Sequence, residues 1–294
     1  MKRLFIVILI LFIASSAIIF FTTKKAGINS DKKLIVTSFS PITELVKEIG
    51  KDKINLVNIV PSDIEPHDFE PKPQDIINIQ ESKLFIYNSA IDKWTKTIKR
   101  NAELDTINLV TGSLITTNNG IDPHIWLDPT LVKKQAESIA SALSEIDPVN
   151  KDYYLNNLLS YSRKLDNLNS KYVQGLTNCK QRNIVTSHEA FGYIGKKYSI
   201  NIINIAGLSP EEEPSAQKLA EIKNIINEKG INYIFFETLT SPKIAETLSQ
   251  ETGAKVAVLN PLEGLKEEEK NSGKNYFTVM EDNLNILKQA MQCE

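Results

Sequence analysis

His67, His124 and His188 are the only histidines in 294 residues, and each stands among Pro, Gly or acidic residues just after a short apolar run. Imidazole is the commonest metal ligand among side chains, so a use this sparing and this regular points to metal chemistry. A lone histidine is more often a surface or satisfied core residue. Shared placement is what lifts these three above that reading, because no local pair such as H-E-x-x-H occurs in the chain.

Three residues so far apart in sequence meet only if the fold carries them to one place. Apolar, β-rich runs at 34–39, 54–60, 84–87 and 106–110 alternate with amphipathic stretches at 42–49, 73–79, 94–100 and 131–146. That alternation is the signature of a βα lobe with a mostly parallel sheet. The pattern starts again with runs at 184–186, 200–205, 233–236 and 255–259, helical stretches at 190–197, 216–228 and 242–251, and a closing helix over 276–291. The expected class is therefore α/β, with two lobes over 33–147 and 183–294, each a mostly parallel sheet flanked by helices. Between them Asp147 and Pro148 read as a helix N-cap and first helical residue. Tyr154, Leu158, Tyr161, Leu165, Leu168 and Tyr172 then recur at helical steps. The spacing predicts one long helix over 148–178, about 40 Å at 1.5 Å per residue, a stiff connector of the lobes. The plainer alternative is a core helix within a single domain. On this frame each histidine follows the carboxyl end of a strand. Open α/β sheets bind ligands at that edge, so the histidines are expected in the cleft between the lobes.

The formal net charge of −2 argues against a nucleic-acid partner, which would need a basic surface. Lys2 and Arg3 precede an apolar run over 4–21, followed by Lys24 and Lys25. Residues 1–26 read as a signal peptide or an uncleaved membrane anchor, so the chain is expected outside the cytoplasm, held on the outer face of the membrane or released by cleavage. No cysteine follows the apolar run, which argues against a lipid anchor. Cys179 and Cys293 either close one disulfide in an oxidising compartment or stay apart, and the sequence leaves both open.

Several segments carry a resemblance: Glu65-Pro-His-Asp-Phe-Glu-Pro-Lys-Pro-Gln-Asp75, Asp122-Pro-His-Ile-Trp-Leu-Asp-Pro129, Val185-Thr-Ser-His-Glu-Ala-Phe-Gly-Tyr193, Ser209-Pro-Glu-Glu-Glu-Pro-Ser215 and Leu259-Asn-Pro-Leu-Glu-Gly-Leu265. In this order they resemble the zinc/manganese solute-binding proteins of ABC importers, over essentially everything after the leader. The resemblance implies two α/β lobes joined by a rigid helix, a metal held between them, and delivery to a membrane permease.

Position by position, the resemblance implies His67, His124 and His188 as the first three metal ligands. Many members carry aspartate where Asn260 stands, whereas in a zinc-binding branch a glutamate at the place of Glu263 supplies the carboxylate. Glu263 is the expected fourth ligand, with an exposed loop carboxylate as the alternative, and Asn260 is left to shape the turn before Pro261. Three imidazoles and one carboxylate suit four-coordinate Zn²⁺ better than Mn²⁺, which prefers more hard oxygen ligands. The His-rich loop of many zinc-binding members is missing from 111–120. Asp68, Asp122, Asp128 and Glu189 lie close enough in sequence to orient a ligand ring. Glu237 and Glu211 to Glu213 fall on the cleft side but are not expected to be ligands. The expected function is an extracytoplasmic monomer, not an enzyme, that captures Zn²⁺ and hands it to an ABC permease. Affinity is expected to fall as pH drops through about 6.5, the ordinary imidazole value. Alternatives are a manganese carrier or metal-dependent adhesin of the same fold, and an exported zinc hydrolase with Glu263 as general base.

Overall fold

The computed structural model describes residues 32–98, 105–109, 115–118 and 120–294. The leader expected over 1–26, the end of the helix expected over 94–100, Val110 and much of 111–120 lie outside these residues. Two sheets organise the rest. The first holds β1 (Lys33–Thr37), β2 (Ile54–Asn58), β3 (Leu84–Tyr87) and β4 (Thr106–Asn108) in the order β2-β1-β3-β4, all parallel. A short antiparallel ribbon, β5 (Thr116–Thr117) with β6 (Gly120–Ile121), precedes the second histidine loop. The second sheet holds β7 (Asn183–Thr186), β8 (Asn201–Asn204), β9 (Tyr233–Phe236) and β10 (Lys255–Val258) in the order β10-β9-β7-β8, again all parallel. Read from the first strand of each, the sheets share one topology. Strand order reverses beside the first strand in both, which opens a crevice at the carboxyl edge.

Helices supply the crossovers that parallel pairing demands. The first sheet uses α1 (Ser40–Gly50), α2 (Pro73–Glu81), the short α3 (Thr95–Ile98) and α4 (Pro129–Ile146). The long α5 (Lys151–Gly175) follows, then α6 (Gly192–Tyr198), α7 (Ala216–Lys229), α8 (Lys243–Thr252), α9 (Glu267–Asn271) and α10 (Tyr276–Met291). Both strands end two residues before their apolar runs at 34–39 and 54–60 do, because Ser38, Phe39, Ile59 and Val60 already belong to the loops at the carboxyl edge. The chain leaves the ladder there while its side chains stay buried.

The connecting helix begins later than its sequence suggests. Pro148–Asn150 form a 3-10 turn and the α-helix runs over 25 residues from Lys151, about 37 Å at 1.5 Å per residue. Asp147 is drawn away from capping, since its Oδ2 accepts from Asn150 Nδ2 at 2.8 Å and Tyr154 Oη at 2.6 Å. The expected stripe faces inward, with Tyr154, Tyr161, Leu165, Leu168 and Tyr172 buried. Near its start Tyr153 Oη donates to Asp52 and Asn157 Nδ2 to Ile49 O; near its end Asn169 Oδ1 accepts from Tyr198 and Tyr172 Oη donates to Met280 O. The helix is thus pinned to elements around both sheets. One continuous apolar cluster runs from Ile35 and Phe39 through Tyr161 and Leu165 to Phe235, Leu259 and Met280. Opening the cleft widely would split that core, so the frame is stiff. Cys179 and Cys293 are disulfide-bonded, tying the chain's end to the segment after α5, where Glu294 N donates to Asn178 O. Among the described residues no helix is long and apolar enough to cross a membrane.

Candidate metal centre

The His67 and His188 loops leave the carboxyl edges of their sheets, the His124 loop comes instead after the β5/β6 ribbon that intervenes beyond β4, and a fourth loop meets them. His67 follows β2 on a loop stiffened by Pro66 and Pro71, and its backbone N–H donates to Glu65 Oε1 at 3.1 Å. His124 follows the β5/β6 ribbon. One oxygen of Asp122, Oδ1, accepts from both the His124 backbone N–H (2.9 Å) and ring Nδ1 (2.7 Å). That fixes the ring and leaves Nε2 as the free lone pair. His188 lies two residues beyond β7, and Glu237 lies one beyond its sheet neighbour β9. Glu237 Oε1 accepts from both Ser187 Oγ and His188 Nδ1. Glu263 comes from the loop after β10.

The free atoms converge. Glu263 Oε1 lies 3.1 Å from His67 Nε2, 2.9 Å from His124 Nε2 and 3.3 Å from His188 Nε2, and the last two nitrogens are 3.2 Å apart. All four ligand atoms lie within 4.8 Å of one another, and all four residues are buried. A tetrahedron with metal bonds of 2.0–2.1 Å has edges of about 3.3 Å, close to the four separations just given.

The charge balance of the cluster is set by burial against neighbouring charge. Burial would raise the Glu263 carboxyl, but the His188 charge and bonds from the three imidazoles hold it well below the usual carboxylate range. Burial lowers His67, and its bond to Glu263 does not offset this. For His188 burial also acts downward, yet the charges of Glu237 and Glu263 outweigh it and hold the ring well above 6.5. His124 is raised in the same way, against burial, by Asp122 and Glu263. The onset of proton competition therefore lies higher than the free-imidazole value suggests. Glu65 is pushed up to about 9, first by burial and then by the charge of Glu263, so it stands protonated at neutral pH.

Among the acids near the histidines in sequence, Asp122 orients a ring. Asp128 has other work: it caps α4 through Thr130 N and pairs with Lys197 Nζ at 2.9 Å. Asp68 is exposed, and Glu189 is half-buried with its backbone N–H on Gly207 O. Glu237, set aside as a ligand by sequence, is the partner of His188, a role visible only once β7 and β9 are known to be adjacent. Asn260 is buried and shapes the turn as expected, its Oδ1 accepting from Leu262 N at 2.7 Å.

Comparison with known proteins gives the following. A family model described as "ZnuA: Zinc-uptake complex component A periplasmic" matches residues 35–290. The high-affinity zinc uptake system protein ZnuA of Bacillus subtilis is 38% identical over 287 residues, covering 90% of each chain. The crystal structure of the Zn(II)-bound ZnuA-like domain of Streptococcus pneumoniae AdcA superposes with a TM-score of 0.80 at 37% identity, over 88% of this chain and 99% of that one. The laminin-binding protein Lmb of Streptococcus agalactiae, described as bifunctional with adhesin and metal transporting activity, gives 0.82 at 31% identity, over 88% and 99%.

Proposed function

The chain belongs to the family of the zinc-uptake complex component A, ZnuA, and we propose that it captures one Zn²⁺ outside the cytoplasmic membrane and delivers it to the permease of an ABC importer. Members of this family are solute-binding transport proteins. The observation that supports the reading is one buried cluster, in which three imidazole nitrogens and one carboxylate oxygen lie within 4.8 Å of one another and could close around a single ion. A catalytic zinc keeps one position open for water or substrate, and four protein ligands leave none. That favours carriage over hydrolysis. Three nitrogens to one oxygen also favour zinc over manganese.

Because all four ligands come from one chain, a monomer suffices. The orienting acids lock the rings before the metal arrives, so little ordering entropy is lost on binding. The continuous core and long helix limit opening to small lobe rotations and loop shifts, and release falls to the permease, which must deform the site. Competitive Zn²⁺ titration of the metal-stripped chain tests the assignment. One tight site is expected, weakened by Glu263→Ala and unchanged by Asp68→Ala, which alters an exposed acid beside His67. Equal affinity for Glu263→Ala and the native chain would remove Glu263 from the ligand set.

A further inference from the structure

Glu263 follows a second-lobe strand, yet its loop is also docked on the first lobe. On its own side the loop is held by Asn283 of α10, which accepts from Asn260 N at 2.9 Å and donates to Asn260 O at 2.7 Å. The next residues are strained: Leu262 sits at φ 61°, the left-handed region that a leucine adopts at a cost, immediately before Glu263. Such a backbone persists only where its surroundings hold it. Part of that hold comes from the two first-lobe histidine loops. Trp126, two residues past His124, donates its indole N–H to Pro261 O at 2.7 Å. Leu265 N donates to Ser62 O, on the His67 loop, at 2.8 Å. Between these bonds Gly264 passes so near that a Cβ there would lie 2.1 Å from Ser62 O.

Trp126 is itself fixed. It is buried, its ring meets Phe39 edge-on at 5.0 Å, and its carbonyl accepts from Tyr276 Oη at 2.9 Å. A rigid donor aimed at the peptide ahead of a strained turn sets where that turn delivers its carboxylate.

We propose that Trp126 is a positioning residue for Glu263: its N–H bond to Pro261 O, with the Gly264 approach to Ser62, docks the Glu263 loop on the first lobe and so sets how long the metal is held. His67, His124 and Glu263 then form one preassembled face, which His188 closes from the second sheet. The proposal rests on reading Glu263 as a ligand.

The test is stopped-flow release of Zn²⁺ to excess chelator from the full loaded chain, for Trp126→Phe, Gly264→Ala, Glu263→Gln and each double variant with Glu263→Gln. Trp126→Phe keeps the ring and loses the N–H; release should quicken about tenfold, the lower end of what loss of an outer-shell partner costs. Gly264→Ala should quicken release likewise, which covers failure of either variant to fold. In the Glu263→Gln background neither should add a further change, because both act through that carboxylate. A purely structural role would instead add in full. Native release rates in Trp126→Phe and Gly264→Ala, or full additivity with Glu263→Gln, overturn the positioning role. If Glu263→Gln itself releases zinc at the native rate, the ligand reading falls and the proposal with it.

Discussion

Zinc binding should expel protons, and the number is a sharp test of the charge arrangement in the cleft. Three independent imidazoles of ordinary pKa near 6.5 would together carry only about 0.3 protons at pH 7.5. Here His188 is held well above that value, against its burial, by Glu237 and Glu263, and His124 is raised by Asp122 and Glu263. His67 is lowered by burial and Glu263 stays ionised, so neither contributes a proton. The metal-free site thus retains protons on His188 and His124 that ordinary imidazoles would have lost at pH 7.5. Since Zn²⁺ needs the neutral rings, binding at pH 7.5 should release between one and two protons. Affinity then falls by about 10- to 100-fold for each unit the pH drops, equivalent to about 1.4–2.7 kcal/mol. The sign follows from the raised pKa values: protonation competes with the metal from above neutrality downward. Calorimetry in buffers of different protonation enthalpy, with zinc supplied from a weak chelator, counts the protons directly. Glu237→Gln, which removes the charge beside His188 Nδ1, should reduce the count by close to one. A native count near 0.3, or one that Glu237→Gln leaves unchanged, would refute the reasoning.

Glu65, with its pKa pushed up to about 9, keeps a proton that the unfolded chain loses near 4.5, so folding becomes costlier as pH rises between those values. The cost at pH 7 is at most about 3 kcal/mol; Glu65→Gln should stabilise the metal-free protein by about 1–3 kcal/mol at pH 7, with the gain vanishing toward pH 4.5, as read by chemical denaturation with chelator present. In Gly192→Ala the new Cβ would lie 2.4 Å from Asp122 Oδ2 and displace the acid that orients His124, weakening zinc binding about 10- to 100-fold; native affinity would show that the acid has room to move. Reducing Cys179–Cys293, which spans 114 residues, should lower unfolding stability by about 2–5 kcal/mol while leaving one zinc per chain.

Much of this architecture is legible in the sequence because it rests on local signals. The runs at 84–87 and 233–236 and the helix over 276–291 match the observed elements to the residue, since apolar periodicity and flanking turn residues coincide there. The histidines could be placed at strand ends for the same reason, and the family resemblance pointed to Glu263. What stayed hidden depends on contacts distant in sequence. Glu237 lies 49 residues from His188 and meets it only through the β9-β7 pairing. Asp147 looked like a helix cap because its bond to Tyr154 Oη is a tertiary choice that propensity does not encode. Sequence leaves the pairing of Cys179 with Cys293 undecided because only the return path of α10 brings the two together. Leu262 in the left-handed region could not be foreseen either, since turn chemistry would have asked for Gly or Asn there.

The zinc environment itself is the most direct test of the four-ligand carrier. X-ray absorption at the zinc edge of the loaded native chain should show three imidazole nitrogens and one oxygen at about 2.0–2.1 Å, with tetrahedral near-edge structure and no exchangeable water. A five- or six-coordinate metal, or a spectrum that Glu263→Ala leaves unchanged, would contradict the closed site and point to an open centre of three histidines and water.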